Sequence, residues 1–317
     1  MSDNKHYIWA EEYRPVKLSE VVIPNDVRTQ FSEYINQKQI PNLLLTSRSP
    51  GTGKTTSARV LCQELSIKPL FINASLNNSI DDIRTTVMQY ATTMPMFGSE
   101  CEHKVIILDE ADRLSPAAQD ALKGILEEVS ISCRFILTAN TKHKIVEPLR
   151  SRCTPIDFVF NKDEQQKLIL QMFKRCCFIL EDKKIDYDKS ALAGIVKTFS
   201  PDNRGLLLWL QNEAANGKID AGSLAKAASV KPEVLVSAMK DKKFKEVSQW
   251  IENNANGIHD DFYGKLFSLL EVSLVDQSIP EVILILAEYQ KYDTVVPNKT
   301  IHFLAMCTEI MMAVKFK

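Results

Sequence analysis

Residues 43 to 56 read Leu-Leu-Leu-Thr-Ser-Arg-Ser-Pro-Gly-Thr-Gly-Lys-Thr-Thr, an apolar strand running into a glycine-bearing turn and then a lysine-threonine pair. A turn of this kind needs a strand to enter it and a helix whose positive end faces an anion, so it predicts a phosphate cradle on an α/β sheet. Gly51, Thr52 and Gly53 let backbone N–H groups curl around phosphate oxygens. Lys54 can reach the β- and γ-phosphates, the Thr55 hydroxyl can ligate Mg²⁺, and Thr56 completes the helix's first residues. The full pattern, G-x-x-x-x-G-K-[ST], places a further glycine where this chain has Arg48. That glycine supplies turn geometry rather than a contact, so no phosphate ligand is lost.

The first half of the chain alternates apolar strands with helical stretches. Leu43 to Thr46, Leu70 to Asn73, Val105 to Leu108, Phe135 to Thr138 and Ile156 to Phe160 read as strands. Such alternation implies βαβ crossovers and a parallel sheet covered by helices on both faces, with ligands bound beyond the strands' C-terminal ends. After Phe160 the strand signal stops. Lys162 to Leu180, Ser190 to Phe199 and Asn203 to Ala215 carry apolar residues at helical spacing, as do Val234 to Met239, Phe244 to Ile251, Phe262 to Val275, Pro280 to Tyr289 and Ile301 to Val314. The expected organisation is a parallel-sheet domain over 1–160, a small helical domain over 161–229 and an all-α domain over 230–317.

The strand Val105-Ile106-Ile107-Leu108 delivers Asp109 and Glu110 at its tip. Downstream of a phosphate loop these carboxylates have distinct uses: Asp109 can hold Mg²⁺ through water, and Glu110 can orient the water that attacks the γ-phosphate. An acidic turn after a buried strand is the alternative. The next strand ends in Ala139-Asn140, which would bring the Asn140 amide near the γ-phosphate if the strands are neighbours; a strand-capping turn is the other reading. The tetrapeptide Asp109-Glu110-Ala111-Asp112 also fits a DEAD-box helicase, but that needs a second RecA-like sheet, and no strand signal follows Phe160.

Composition narrows the class further. With 317 residues, 45% hydrophobic and 25% charged, the chain can bury a core for two or three domains. No apolar run approaches the roughly 18 residues of a membrane span, and the start Met-Ser-Asp-Asn-Lys-His has no signal-peptide layout, so a cytoplasmic location is expected. Seven scattered cysteines lack paired C-x-x-C clusters and suggest neither a disulfide framework nor a zinc site. A net charge of -1 excludes a uniformly basic nucleic-acid binder but leaves room for a local basic face.

Taken together these residues resemble the AAA+ ATPases, and within them the loaders of sliding DNA-polymerase clamps, most of all the T-even-type phage subfamily. Glu11-Glu12-Tyr13-Arg14-Pro15 with Leu18-Ser19-Glu20-Val21-Val22 is similar to the segment that folds over adenine in that family, and Ser151-Arg152-Cys153 matches its S-R-C motif. The resemblance is carried by residues 9 to 160, continues through the helical lid, and beyond about residue 230 rests on helical content. It implies an AAA+ core, a lid and an all-α C-terminal collar that oligomerises. It also implies that Glu12, Tyr13, Arg14 and Val22 contact the nucleotide, that Arg204 touches the γ-phosphate from the lid, and that Arg152 completes a neighbouring subunit's site. Arg150 is the competing finger, and for Arg152 a helix-end role or pairing with Glu147 is the plainer account. Gln119 and Lys123 fall where relatives carry a DNA-responsive glutamine and a basic residue, often arginine. Lysine supplies charge there but not a planar fork.

The resemblance further implies the ligands ATP and Mg²⁺ and the partners: a sliding clamp, primer-template DNA held by its backbone, identical copies of the chain and a companion loader subunit, with no membrane. The location would be the host cytoplasm if the source is a phage. In Ser79-Ile80-Asp81-Asp82-Ile83-Arg84, Arg84 is the candidate phosphate contact, with a solvated helix face as the alternative. Met94, Met96 and Phe97 are a candidate clamp-gripping element, or loop packing under the sheet. Two rivals remain in view at the level of sequence: another AAA+ initiator or branch-migration motor, which would append a winged helix or helix-turn-helix, and a non-catalytic stator, which Arg48 keeps open.

Overall fold

The computed structural model describes residues 7–47, 49–76, 80–93, 103–159, 162–229, 231–254, 262–293 and 295–317. Arg48, Ser79, Met94, Met96, Phe97, Cys101 and Phe160 lie outside them.

Strands made of leucine, isoleucine and valine with no polar face can be stable only when both sides are covered. β1 (Leu43–Thr46) is buried at every residue, and it shares a sheet with β2 (Leu70–Asn73), β3 (Lys104–Asp109), β4 (Cys133–Ala139) and β5 (Thr154–Asp157). They form one parallel sheet in the order β2-β3-β4-β1-β5. Alternate residues feed two cores. Leu44, Ile106, Leu108, Phe135 and Leu137 pack on one face with Ile83, Val87, Leu122 and Ile125, from the helices Ile80–Thr92 and Pro116–Glu128. Leu43, Leu45, Val105, Ile107 and Ile136 pack on the other with Val27, Phe31, Ala58 and Leu61, from the helices Asn25–Gln37 and Lys54–Glu64.

The register brings the chemistry-bearing ends level: Leu45 lies opposite Thr138 and Ile156, and Asn73 opposite Asp109. β3 and β4 run one to two residues longer than the sequence expectation, and one strand is shifted from it. β5 runs over Thr154–Asp157 rather than from Ile156, because its partner β1 is four residues long and pairs Leu43 with Thr154 and Thr46 with Asp157. The Phe158 N–H still donates to the Thr46 carbonyl at 2.7 Å.

Beyond the sheet the helices located from sequence hold to within a few residues, from Lys162–Asp182 to Lys299–Ala313, but the region is not all helix: it also holds the two-residue strands Asp186–Tyr187 and Lys218–Ile219, too short to show a period, and a further helix at Ala221–Ser229. The described residues contain no second large sheet, so the DEAD-box reading lacks its second half. The chain divides into two compact units. The first holds the sheet, its helices and, from the region after it, Lys162–Asp182 and Asn203–Ala214. The second comprises Asp188–Thr198 and Ile219–Lys317, a helical body whose core includes Met239, Ile251, Leu266, Leu270, Phe303, Met306 and Ile310. Its last helix starts where the Asn298 side chain accepts from the Ile301 N–H at 3.1 Å. Among the described residues no helix is long and apolar enough to cross a membrane, no group of three or more potential ligands forms a metal cluster, and Cys62, Cys133, Cys153, Cys176, Cys177 and Cys307 form no disulfide.

Candidate active site

The phosphate loop is built on two left-handed glycines, Gly51 (φ 73°) and Gly53 (φ 94°), the latter directly before the helix Lys54–Glu64. A Cβ at Gly51 would also lie 1.8 Å from Asp202 Oδ1, so glycine is required there twice over. Asp202 caps the helix Asn203–Ala214 by accepting from the Gly205 N–H at 2.9 Å, and the Asn203 N–H donates to the Gly51 carbonyl at 3.2 Å. The helix that carries Arg204 is thereby seated on the loop.

Lys54 is buried, and its Nζ donates to Ser47 Oγ at 2.6 Å and to Asn140 Oδ1 at 2.8 Å. Burial draws the ammonium down to about 8, against the pull of Asp112 and Asp109. Its two close acceptors are neutral oxygens, so its charge is available to an anion. Asp109, at the tip of β3, accepts through Oδ1 from Thr55 Oγ1 at 2.7 Å and from Thr138 Oγ1 at 2.6 Å. Thr138 Oγ1 accepts in turn from the Glu110 N–H at 3.1 Å, holding Glu110 in a left-handed conformation (φ 56°). Asp112 Oδ2 accepts from the N–H groups of Asn140 and Thr141 at 3.3 and 3.2 Å, which fixes the turn bearing the Asn140 amide.

These groups open onto one cleft. Gly51, Thr52, Gly53, Lys54, Thr55, Thr56, Asp109, Glu110, Asn140 and Arg204 line its polar end. Tyr13, Arg14, Pro15, Val21, Val22, Met172 and Leu207 are also in its wall and give it an apolar end. Arg14 links the two, donating to Thr56 Oγ1 at 2.9 Å while pairing with Glu11 at 2.5 Å. Glu12 is turned away: it pairs with Lys183 at 2.7 Å and does not line the cleft.

The remaining candidates lie elsewhere. Arg152 pairs with Glu127 at 2.6 Å and donates to the Pro148 carbonyl at 2.7 Å, outside its own chain's cleft. The Glu147 pairing falls to Arg150 instead. Arg84 is exposed and pairs with Glu128 at 3.3 Å. Gln119 is 1% exposed and Lys123 half-buried on the same helix. Sequence reasoning missed Ser47, Thr138 and Arg175 as site residues. For Thr138 a signal existed, since it stands two residues before Asn140 on the strand beside β3. Arg175, inside an ordinary helical pattern, gave none.

The model of the ATPase family associated with various cellular activities (AAA) matches residues 44–160. The sliding-clamp-loader large subunit of Escherichia phage RB69 is 30% identical to this chain over 99% of it and 99% of the relative. The chain belongs to the sliding-clamp-loader family. The corresponding subunit of Enterobacteria phage T4 is 29% identical over the same shares, and the replication factor C small subunit of Archaeoglobus fulgidus is 37% identical over 71% of this chain and 70% of that one. Among solved structures, the Holliday junction branch migration motor RuvB of Thermotoga maritima has a TM-score of 0.56 and 17% identity, covering 82% of this chain and 91% of that one. That likeness is one of fold. This clamp-loader chain is accordingly an AAA+ P-loop ATPase, an ATP-hydrolysing enzyme with a parallel-sheet core and a helical C-terminal region.

Proposed function

We propose that the chain is the ATPase subunit of a loader that places a sliding clamp on primed DNA. ATP binding draws identical copies and a companion subunit into a spiral that holds an open clamp and a primer-template junction, and DNA-stimulated hydrolysis releases the closed clamp. The observation that carries this reading is an ATPase cleft complete in its cis groups on a chain that resembles loader subunits from end to end, while Arg152 lies outside that cleft.

The backbone N–H groups of Gly51 to Thr56 cradle the β- and γ-phosphates, and Lys54 meets their charge. Thr55 Oγ1 and Asp109 Oδ1, 2.7 Å apart, are the hard oxygen donors that fit Mg²⁺, which when bound neutralises charge on the phosphates. Glu110 orients the attacking water and draws on its proton as the new bond to the γ-phosphorus forms. The bond to the β–γ bridging oxygen breaks, and ADP leaves with that electron pair. Asn140 and Arg204 steady the γ-phosphoryl oxygens, and Arg152 does so in a neighbour's cleft. Tyr13, Arg14 and Val22 wall the base. The lid over 161–229 closes on the nucleotide and the collar over 230–317 holds the subunits together, in the host cytoplasm for a phage source. Arg84 meets template phosphates, and Gln119 with Lys123 relays that contact to the cleft.

The test is steady-state ATP hydrolysis by the full chain alone, then with primed DNA, then with a clamp and companion subunit added. Turnover should be slow for the chain alone and rise at each addition. A rate that is already maximal for the chain alone and indifferent to DNA and clamp would sink the reading.

A further inference from the structure

The wall at the apolar end of the cleft is held by two half-buried arginines that donate to main-chain carbonyls. Arg28, on the helix Asn25–Gln37, donates to the Leu18 carbonyl, to the Val21 carbonyl at 2.6 Å and to Gln171 Oε1 at 3.3 Å. Arg175, on the helix Lys162–Asp182, donates to the Tyr13 carbonyl at 2.5 Å and to the Glu20 carbonyl at 3.5 Å. Burial pulls both guanidinium groups below their ordinary range. A charged donor on a carbonyl makes a strong bond, and a planar fork holds two such acceptors in a fixed geometry that a flexible ammonium does not impose.

Of the two, Arg175 alone lines the cleft. It stands on the helix face that also presents Met172, three residues earlier, to the same space. Its two acceptors, the Tyr13 and Glu20 carbonyls, belong to the stretch that also brings Tyr13, Arg14, Pro15, Val21 and Val22 to the cleft. The same stretch is clasped to this helix and its end by Tyr13 Oη donating to Asp182 at 2.5 Å and by Lys183 pairing with Glu12 at 2.7 Å. Neither acceptor of Arg175 belongs to the phosphate loop. An apolar slot of this kind suits the flat face of a purine, and the guanidinium sets its width from one wall to the other.

We propose that Arg175 is a positioning residue for the nucleotide base, bracing the Tyr13–Glu20 wall so that ATP and ADP gain affinity from it equally. The inference rests on the nucleotide reading of the cleft. Because the brace acts on the base and not on the γ-phosphate, its loss weakens both nucleotides by the same factor.

Equilibrium binding of fluorescent ADP and ATP to the full chain tests this. Arg175→Met should weaken both about tenfold, the size expected when a charged hydrogen bond is lost. Arg175→Lys, which keeps the charge and stem but reaches one carbonyl, should recover part of that loss, and it carries the test alone if Arg175→Met does not fold. Wild-type affinity for both nucleotides in the folded variants overturns the proposal. So does a loss confined to ATP, which would make Arg175 a γ-phosphate contact. If the wild-type chain binds neither nucleotide, the reading of the cleft itself falls and this inference with it.

Discussion

At the scale of single residues, the cleft works by giving each charged group partners that do not consume its charge. Lys54 is held by Ser47 and Asn140 oxygens, Asp109 by two hydroxyls, and Glu110 by its own backbone N–H on Thr138, which leaves its carboxylate to the cleft. Glu110→Gln keeps the shape and removes the proton acceptor. Nucleotide affinity should stay within about twofold while turnover in the assembled complex falls at least ~10²-fold, the range for a lost general base. Unchanged steady-state hydrolysis would remove Glu110 from its role. Sequence made the charged members of this set legible because a phosphate loop and an acidic strand tip are spaced by chemistry that few other folds need. The hydroxyls were harder to see. Ser47 and Thr138 are common residue types, and their meaning comes only from the β3–β4–β1 adjacency that the sheet creates.

At the scale of elements, periodicity located nearly every strand and helix because apolar residues dominate the buried faces. It failed at an edge. β5 begins at Thr154 and includes Pro155, polar and ring-bearing positions that only pairing with β1 selects as strand. Tertiary structure also gave Gln119 a setting that sequence did not suggest. It lies buried on the helix Pro116–Glu128, donating to the Leu114 and Lys144 carbonyls at 3.1 and 2.9 Å and accepting from the Val146 N–H at 2.8 Å. Buried, it has no surface to offer DNA directly; it ties that helix to the loop leading toward Glu147–Arg150 and Arg152. A response to DNA at Gln119 must therefore pass through the helix as a body. Gln119→Leu fills the space but strands these backbone groups without partners, so unfolding in denaturant should show a loss on the order of 2 kcal/mol. DNA stimulation of hydrolysis should fall more than the unstimulated rate; equal losses in both would count against a relay.

At the scale of the whole molecule, the cis groups converge while the S-R-C arginine does not. Arg152 is engaged with Glu127 and the Pro148 carbonyl, contacts that a long side chain can exchange at small cost because both groups of the ion pair are partly exposed. If it serves a neighbour, each active site is shared, and two different defects on separate chains need not fall in the same site. Complexes made only of Arg152→Ala chains, or only of Glu110→Gln chains, should each lose hydrolysis, by roughly 10³-fold or more for the arginine. Mixing the two should restore part of it. An Arg152→Ala chain still carries an intact Glu110, and when its cleft faces the Arg152 of a Glu110→Gln chain the site is whole. An arginine acting within its own chain predicts the opposite, since no arrangement of the mixture then joins a good Glu110 to a good Arg152. Hydrolysis measured across a series of mixing ratios separates the two. A curve that peaks at intermediate ratios assigns Arg152 to the neighbour, whereas one that stays flat at the level of the single variants assigns it to its own cleft.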